Sequence, residues 1–121
     1  MNQISLTMAI FRPALKKKFE FKTIERVTFT ANKIHDKLDL AGYGTTDGKY
    51  FEERKMKTLK LSENGEYSKM FLKSISHDLK ESQIDVVILT INFLEKNISS
   101  EIYFRHIETN KKDSKTFLSK F

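Results

Sequence analysis

Ile4, Leu6, Met8 and Ile10 alternate with Ser5, Thr7 and Ala9, the period-two pattern of a strand. Arg12-Pro13 ends it, because proline cannot donate to a ladder. A second extended region runs from about 17 to 30. Phe19, Phe21, Val27 and Phe29 share one parity there, while Ile24 and Glu25 interrupt it, which predicts a bulge or turn near 23–26. From Thr30 the spacing changes. Ala31, Ile34 and Leu38 fall on one helix face, Thr30 or Asn32 supplies a cap, and Gly42 follows the end. Residues 42–50 (GYGTTDGKY) then predict an exposed loop with a tight turn at Asp47-Gly48.

The second half repeats the alternation of strand and helix. Residues 57–61 predict a short strand, and Ser62, Asn64 and Gly65 mark a boundary. Tyr67, Met70, Phe71, Ile75 and Leu79 then stack on one face of a helix. Residues 84–94 (IDVVILTINFL) are apolar on both parities at their start, as in a central strand covered on both faces. Asn97 falls in a turn, and 101–108 (EIYFRHIE) supplies the returning strand of a hairpin. In the tail, Asp113 or Ser114 caps a short apolar face of Phe117, Leu118 and Phe121, so 109–121 reads as a peripheral tail helix or a frayed end. The expected order is β-β-α-loop-β-α-β-β-α. That is an α+β fold, a small mixed or antiparallel sheet of about five strands with helices packed on it.

At 121 residues the chain is one domain's worth, 1–121, and 39% hydrophobic with 31% charged residues is ordinary globular usage. With no cysteine there are no disulfides, thiolate metal sites or cysteine nucleophiles. No apolar run approaches the ~18 residues of a membrane span. The N-terminus has no Lys or Arg ahead of its apolar residues and no small-residue cleavage site before Arg12, so the expected compartment is the cytoplasm, with no membrane association.

The net charge of +6 changes the picture more than composition does, because it is lopsided. Residues 1–61 hold 13 Lys and Arg against 7 Asp and Glu, whereas residues 62–121 hold 9 of each. A one-sided basic field attracts nucleic acid, an anionic membrane or an acidic protein surface. Lys outnumbers Arg 18 to 4, however, and the abundance of Phe, Tyr, Met, Ile, Asn and Lys matches AT-rich codons. Base composition therefore accounts for part of the lysine content, and it suits an AT-rich bacterium, phage or plasmid. Arginine, whose planar fork recognises phosphate, is scarce.

Candidate chemistry is sparse. Gly44, Gly48 and Lys49 have the wrong spacing for a phosphate-binding loop, and Tyr50 stands where such a loop needs a hydroxyl for magnesium. His35-Asp36 and His77-Asp78 resemble the metal-binding dipeptide of helical phosphohydrolases, but no second histidine follows at helical spacing. No metal, small-molecule cofactor or catalytic residue is assigned. Tyr103, Arg105 and His106 on one predicted strand supply the residue types of small metal-free ribonuclease toxins, although His106 shares parity with Ile102 and Phe104 and equally fits a core position. The stronger pattern is basic residues beside aromatics: Lys16, Lys17, Lys18, Lys22, Lys49, Arg54, Lys55 and Lys57, with Tyr43, Tyr50 and Phe51 as anchors. The expectation is a small non-enzymatic binding protein, a regulator or inhibitor of mobile-element or phage type. Its partner would be a nucleic-acid-handling protein or nucleoprotein. Direct RNA or DNA binding and the ribonuclease remain the alternatives.

Overall fold

A computed structural model describes residues 24–46, 49–60, 65–76 and 79–120. They form a six-stranded sheet in which every neighbouring pair is antiparallel. The elements are β1 (Ile24–Ile34), β2 (Lys37–Thr46), β3 (Lys49–Lys60), α1 (Gly65–Ser76), a 3-10 turn (Glu81–Gln83), β4 (Ile84–Asn92), β5 (Asn97–Arg105) and β6 (Lys112–Lys120). The spatial order is β3-β2-β1-β4-β5-β6. Two three-stranded meanders thus meet along β1 and β4, and the segment containing α1 carries the chain from the β3 edge back to the middle.

One face of the sheet holds the core. Val27, Phe29 and Ala31 of β1 stand opposite Ile91, Leu89 and Val87 of β4, and all six are buried. Ile98, Ile102 and Phe104 of β5 extend the same face, and α1 contributes Phe71 and Leu72. The outer face is mixed along its centre, with Val86 and Ile88 of β4 half-buried opposite Asn32 and Thr30 of β1. Thr28 and Thr90 face each other across β1 and β4 with their hydroxyls 3.1 Å apart, a cross-strand hydroxyl pair. At the β6 edge, Lys112, Lys115 and Lys120 are spread along the strand, which discourages a further strand from adding there.

The architecture corrects the expected α+β class: the described residues form mostly an antiparallel sheet, with one short α-helix among them. The helix read at 30–42 is the end of β1, a two-residue turn at His35-Asp36 and the start of β2. Its helical spacing arose from two strands whose core-facing parity switches across the turn, from Ala31 to Leu38 and Leu40. The loop read at 42–50 is strand on both sides of residues 47 and 48. Gly42 and Gly44 are buried opposite Phe29 and Val27, where the missing side chains leave room for the larger partner. The short strand at 57–61 is the end of the longer β3.

The tail helix is strand β6, paired with β5 from Arg105–Lys112 to Asn97–Lys120. Lys115 and Phe117 are half-buried at alternate positions, whereas Leu118 is 71% exposed, a period of two rather than a helical face. Asn97 opens β5, and residues 93–96 make the turn. Asn92 Oδ1 accepts from the backbone N–H of Leu94 and Glu95 at 3.1 and 2.9 Å, which starts that turn. On α1 the inward residues are Phe71, Leu72 and Ser76, while Met70 is 44% exposed rather than on the buried face. β4 is central as expected, but it alternates buried and half-buried instead of being fully covered. The irregularity expected near 23–26 is present, as a register shift between Ile24 and Arg26. The strand at 4–10, Lys16, Lys17, Lys18, Lys22, the Asp47-Gly48 turn and His77-Asp78 lie outside the described residues.

Candidate functional site

The hairpin of β2 and β3 places two tyrosines on the outer face. Tyr43 is the cross-strand partner of Glu52, and Thr45 of Tyr50, so these four residues share a side. Tyr43 and Tyr50 are 46% and 63% exposed, and their ring centroids lie 6.3 Å apart at a 36° tilt. Together with Arg26, Thr28, Gly44 and Thr45 they line a groove of about 230 Å³. Gly44 reaches this groove only through its backbone, since its own position faces the core opposite Val27. Glu52 sits at the rim and accepts from Arg54 Nε at 2.9 Å. The Tyr50 phenol is pushed above its ordinary value, first by partial removal from water, then by the Glu52 carboxylate beside it.

Of the residues singled out in the sequence, Tyr43 and Tyr50 are brought together, and Lys49 and Arg54 lie exposed on the same strand, β3. Phe51 is separated from them in register: it stands opposite Gly44, on the parity of the core, rather than with Tyr43. Lys57 is likewise opposite Leu40. Lys55 lies in the stretch of β3 where the register with β2 shifts between Leu40 and Gly42. The groove joins Tyr43 and Tyr50 to Arg26, a residue the sequence reading passed over. Its position two residues before Thr28 on the outward parity of β1 is a clue visible in the sequence once β1 is known to be a strand.

A second concavity, of about 650 Å³, opens where β1 ends, β4 begins and β5 ends. Asn32, Lys33, Ile34 and His35 form one wall, residues 82–85 the floor, and Arg105, His106, Ile107, Asn110 and Lys112 the other wall. The two turns that frame it each hold a non-glycine residue with positive φ, His35 and Asn110, both at 54°. One ion pair and one histidine–carboxylate contact set its polar side chains. Arg105 Nε donates to Asp85 Oδ2 at 2.9 Å, and Gln83 Nε2 donates to the Arg105 carbonyl at 3.0 Å. His106 Nε2 lies 3.0 Å from Asp113 Oδ2. That contact, followed by the Ser114 N–H on Oδ1, holds the Asp113 carboxyl below the usual carboxylate range.

Sequence reasoning found Arg105 and His106 but not Asn32 and Lys33, which come from the distant end of β1, nor Asn110 and Lys112, which lie in and just after the turn between β5 and β6. His106 is exposed, outside β5 and edge-on to Phe104 at 5.3 Å, so it is not a core residue. Tyr103, the third member of the ribonuclease group, stays outside this cleft and gives its hydroxyl to Glu101 at 3.0 Å. Among the described residues, no group of three or more His, Asp and Glu is placed to hold a metal ion, and no helix is long and apolar enough to cross a membrane. Comparison with protein families, characterised proteins and solved structures finds no match to this chain.

Proposed function

We propose that the protein is a non-enzymatic binding protein that docks on an acidic protein surface through the outer face of β1, β2 and β3. Tyr43 and Tyr50 are its anchors and Arg26 its principal charged contact. The observation that carries this reading is the exposed tyrosine pair flanking a groove with an arginine in it, since Tyr and Arg are the residue types enriched where interfaces concentrate their binding energy. Residues 24–46 and 49–60 hold eight Lys and Arg against five Asp and Glu, an excess that steers an acidic partner. The Glu52 carboxylate at the rim favours protein over nucleic acid. A phosphate backbone laid across the rings would run beside a fixed negative charge, whereas a protein offers its own donors to that carboxylate. The class of partner proposed is a nucleic-acid-handling protein or nucleoprotein that presents an acidic patch to this face.

The test is capture of the partner from nuclease-treated lysate of the host, with wild type and the Tyr43→Ala/Tyr50→Ala variant side by side, followed by titration of the recovered protein at two salt concentrations. Stoichiometric recovery by wild type, loss of at least about tenfold in affinity in the variant and modest salt dependence are expected. Recovery that disappears with nuclease, or affinity that survives loss of both rings, refutes the reading. Direct nucleic-acid binding would instead show as a steep fall in affinity with salt, because phosphate contacts release counterions.

A further inference from the structure

At one end of the sheet the register lines up one residue from every strand. Tyr50, Thr45, Arg26, Asn92, Asn97 and Lys120 are successive cross-strand partners, a single row from the β3 edge to the β6 edge. The row lies on the outer face: Tyr50, Arg26 and Lys120 are exposed, while Val27 beside Arg26 and Ile91 beside Asn92 are buried on the other face. It carries two cations and no acid. We infer that it binds an extended acidic segment of a protein partner, laid across the strands with one apolar side chain held at the tyrosines. That rests on the docking reading above and narrows its acidic surface to a linear segment of stated spacing.

The outward carboxylates elsewhere on the sheet are already matched. Glu52 accepts from Arg54 Nε, Glu101 from the Tyr103 hydroxyl, Asp39 from Thr58 Oγ1 and Asp85 from Arg105 Nε. Arg26 and Lys120, in contrast, have no ion pair among the described residues. Two acids border the row. Glu95, in the turn between β4 and β5, lies 3.3 Å from Asn97 Nδ2, and Glu25 falls in the register shift ahead of Arg26. With Lys96 of the same turn counted, Arg26, Lys96 and Lys120 stand against Glu25 and Glu95, so the row and its border stay positive. The opposite end of the sheet also exposes Lys37 and Lys112, but β4 shifts register between Ile84 and Val86, which breaks any such row there.

The spacing defines the segment. Neighbouring strands are ~4.8 Å apart, so Arg26 lies about 10 Å from Tyr50 along the row and Lys120 about 14 Å beyond Arg26. An extended chain rises ~3.3 Å per residue, so an apolar anchor at the rings puts the third residue beyond it at Arg26 and the seventh at Lys120. The groove of about 230 Å³ is smaller than the ~300–1,000 Å³ of small-molecule sites and suits one side chain of a longer ligand. The planar fork of Arg26 matches a carboxylate. A nucleic-acid strand matches less well, because it gains affinity from successive phosphates. Between the two cations stand only Asn92, whose Oδ1 accepts from the Leu94 and Glu95 N–H groups, and Asn97, whose amide meets Glu95.

Fluorescence anisotropy of the full chain with labelled peptides tests the inference. The probes are GFSSESSSEG, its reverse GESSSESSFG, and GFEESSSSSG, which keeps the composition but moves both acids beside the anchor. One of the first two is expected to bind with a Kd below about 100 µM, and the third at least about fivefold more weakly. Lys120→Met should weaken the spaced peptide about two- to fivefold. Lys112→Met, at the other end of β6, should leave it unchanged. No binding of either spaced peptide below about 1 mM, equal binding of the third, or indifference to Lys120→Met overturns the inference. An oligothymidylate of the same length that binds more tightly than every peptide also overturns it, by assigning the row to nucleic acid. If the peptides fail while a partner recovered from lysate still requires both tyrosines, only the linear segment falls. Peptide binding that survives Tyr43→Ala/Tyr50→Ala removes the docking face itself.

Discussion

Replacing Phe71 by alanine separates the inward face of α1 from its outward one. Phe71 is fully buried and belongs to the cluster that includes Phe29, Leu89 and Ile102, whereas its neighbour Met70 is 44% exposed. Removing the buried ring forfeits roughly 2 kcal/mol of transfer free energy. The space it leaves adds about 1–3 kcal/mol, at ~24 cal/mol per Å³ of cavity that the surroundings fail to close. The sum, about 3–5 kcal/mol, is a large part of the ~5–15 kcal/mol that holds a domain together. For 121 residues, an unfolding entropy of ~2.1 cal/mol/K per residue makes each kcal/mol worth about 4 °C. Phe71→Ala should therefore lower the midpoint by roughly 12–20 °C, and Met70→Ala should cost under about 1 kcal/mol. Urea titration and thermal melting, both followed by circular dichroism, read these values directly. A Phe71→Ala loss below about 1 kcal/mol, or a Met70→Ala loss equal to it, would refute the packing of α1 described above.

Two further perturbations test the sheet and the cleft. Gly42→Val inserts a branched side chain against Phe29, and the overpacking should cost about 1–3 kcal/mol in the same melts. An unchanged midpoint would mean that β1 and β2 are not paired in this register. Because the Asp113 carboxyl is held below its ordinary value by His106, the native state keeps it ionised at a pH where the unfolded chain has begun to bind a proton. Its contribution is therefore complete above the unfolded value of about 3.8 and is lost as the pH falls through the lower folded one. Melts between pH 7 and pH 2.5 should show that acid-induced decline in wild type and less of it in Asp113→Asn. Parallel curves would remove His106 as the cause.

Much of what the sequence determined alone is strand. Val27 and Phe29, the interruption before them, and the apolar run from Ile84 are legible because a half-buried strand needs nothing beyond period-two alternation. The inward register of Phe71 and the outward turn of Met70 are not, since adjacent residues on a helix differ by a rotation that only the neighbouring sheet resolves. The false helix at 30–42 has a similar origin. A two-residue turn at His35-Asp36 lets the apolar parity switch, and three residues spaced like a helix face then come from two strands.

Glycine misled for a physical reason. Gly42 and Gly44 read as loop residues because glycine weakens isolated strands, yet here each makes room for the large side chain opposite, an advantage that exists only once β1 is paired with β2. The sites divide in the same way. Basic residues and tyrosines in residues 43–57 were visible as a cluster because they are close in sequence. That Tyr43 and Tyr50 share a groove with Arg26, while Phe51 pairs in register with Gly44, depended on which strands pair. The cleft lined by Lys33, Arg105 and Lys112 was invisible from local pattern. Its walls are separated by some seventy residues of chain, and only the meeting of the two meanders along β1 and β4 brings those strand ends together.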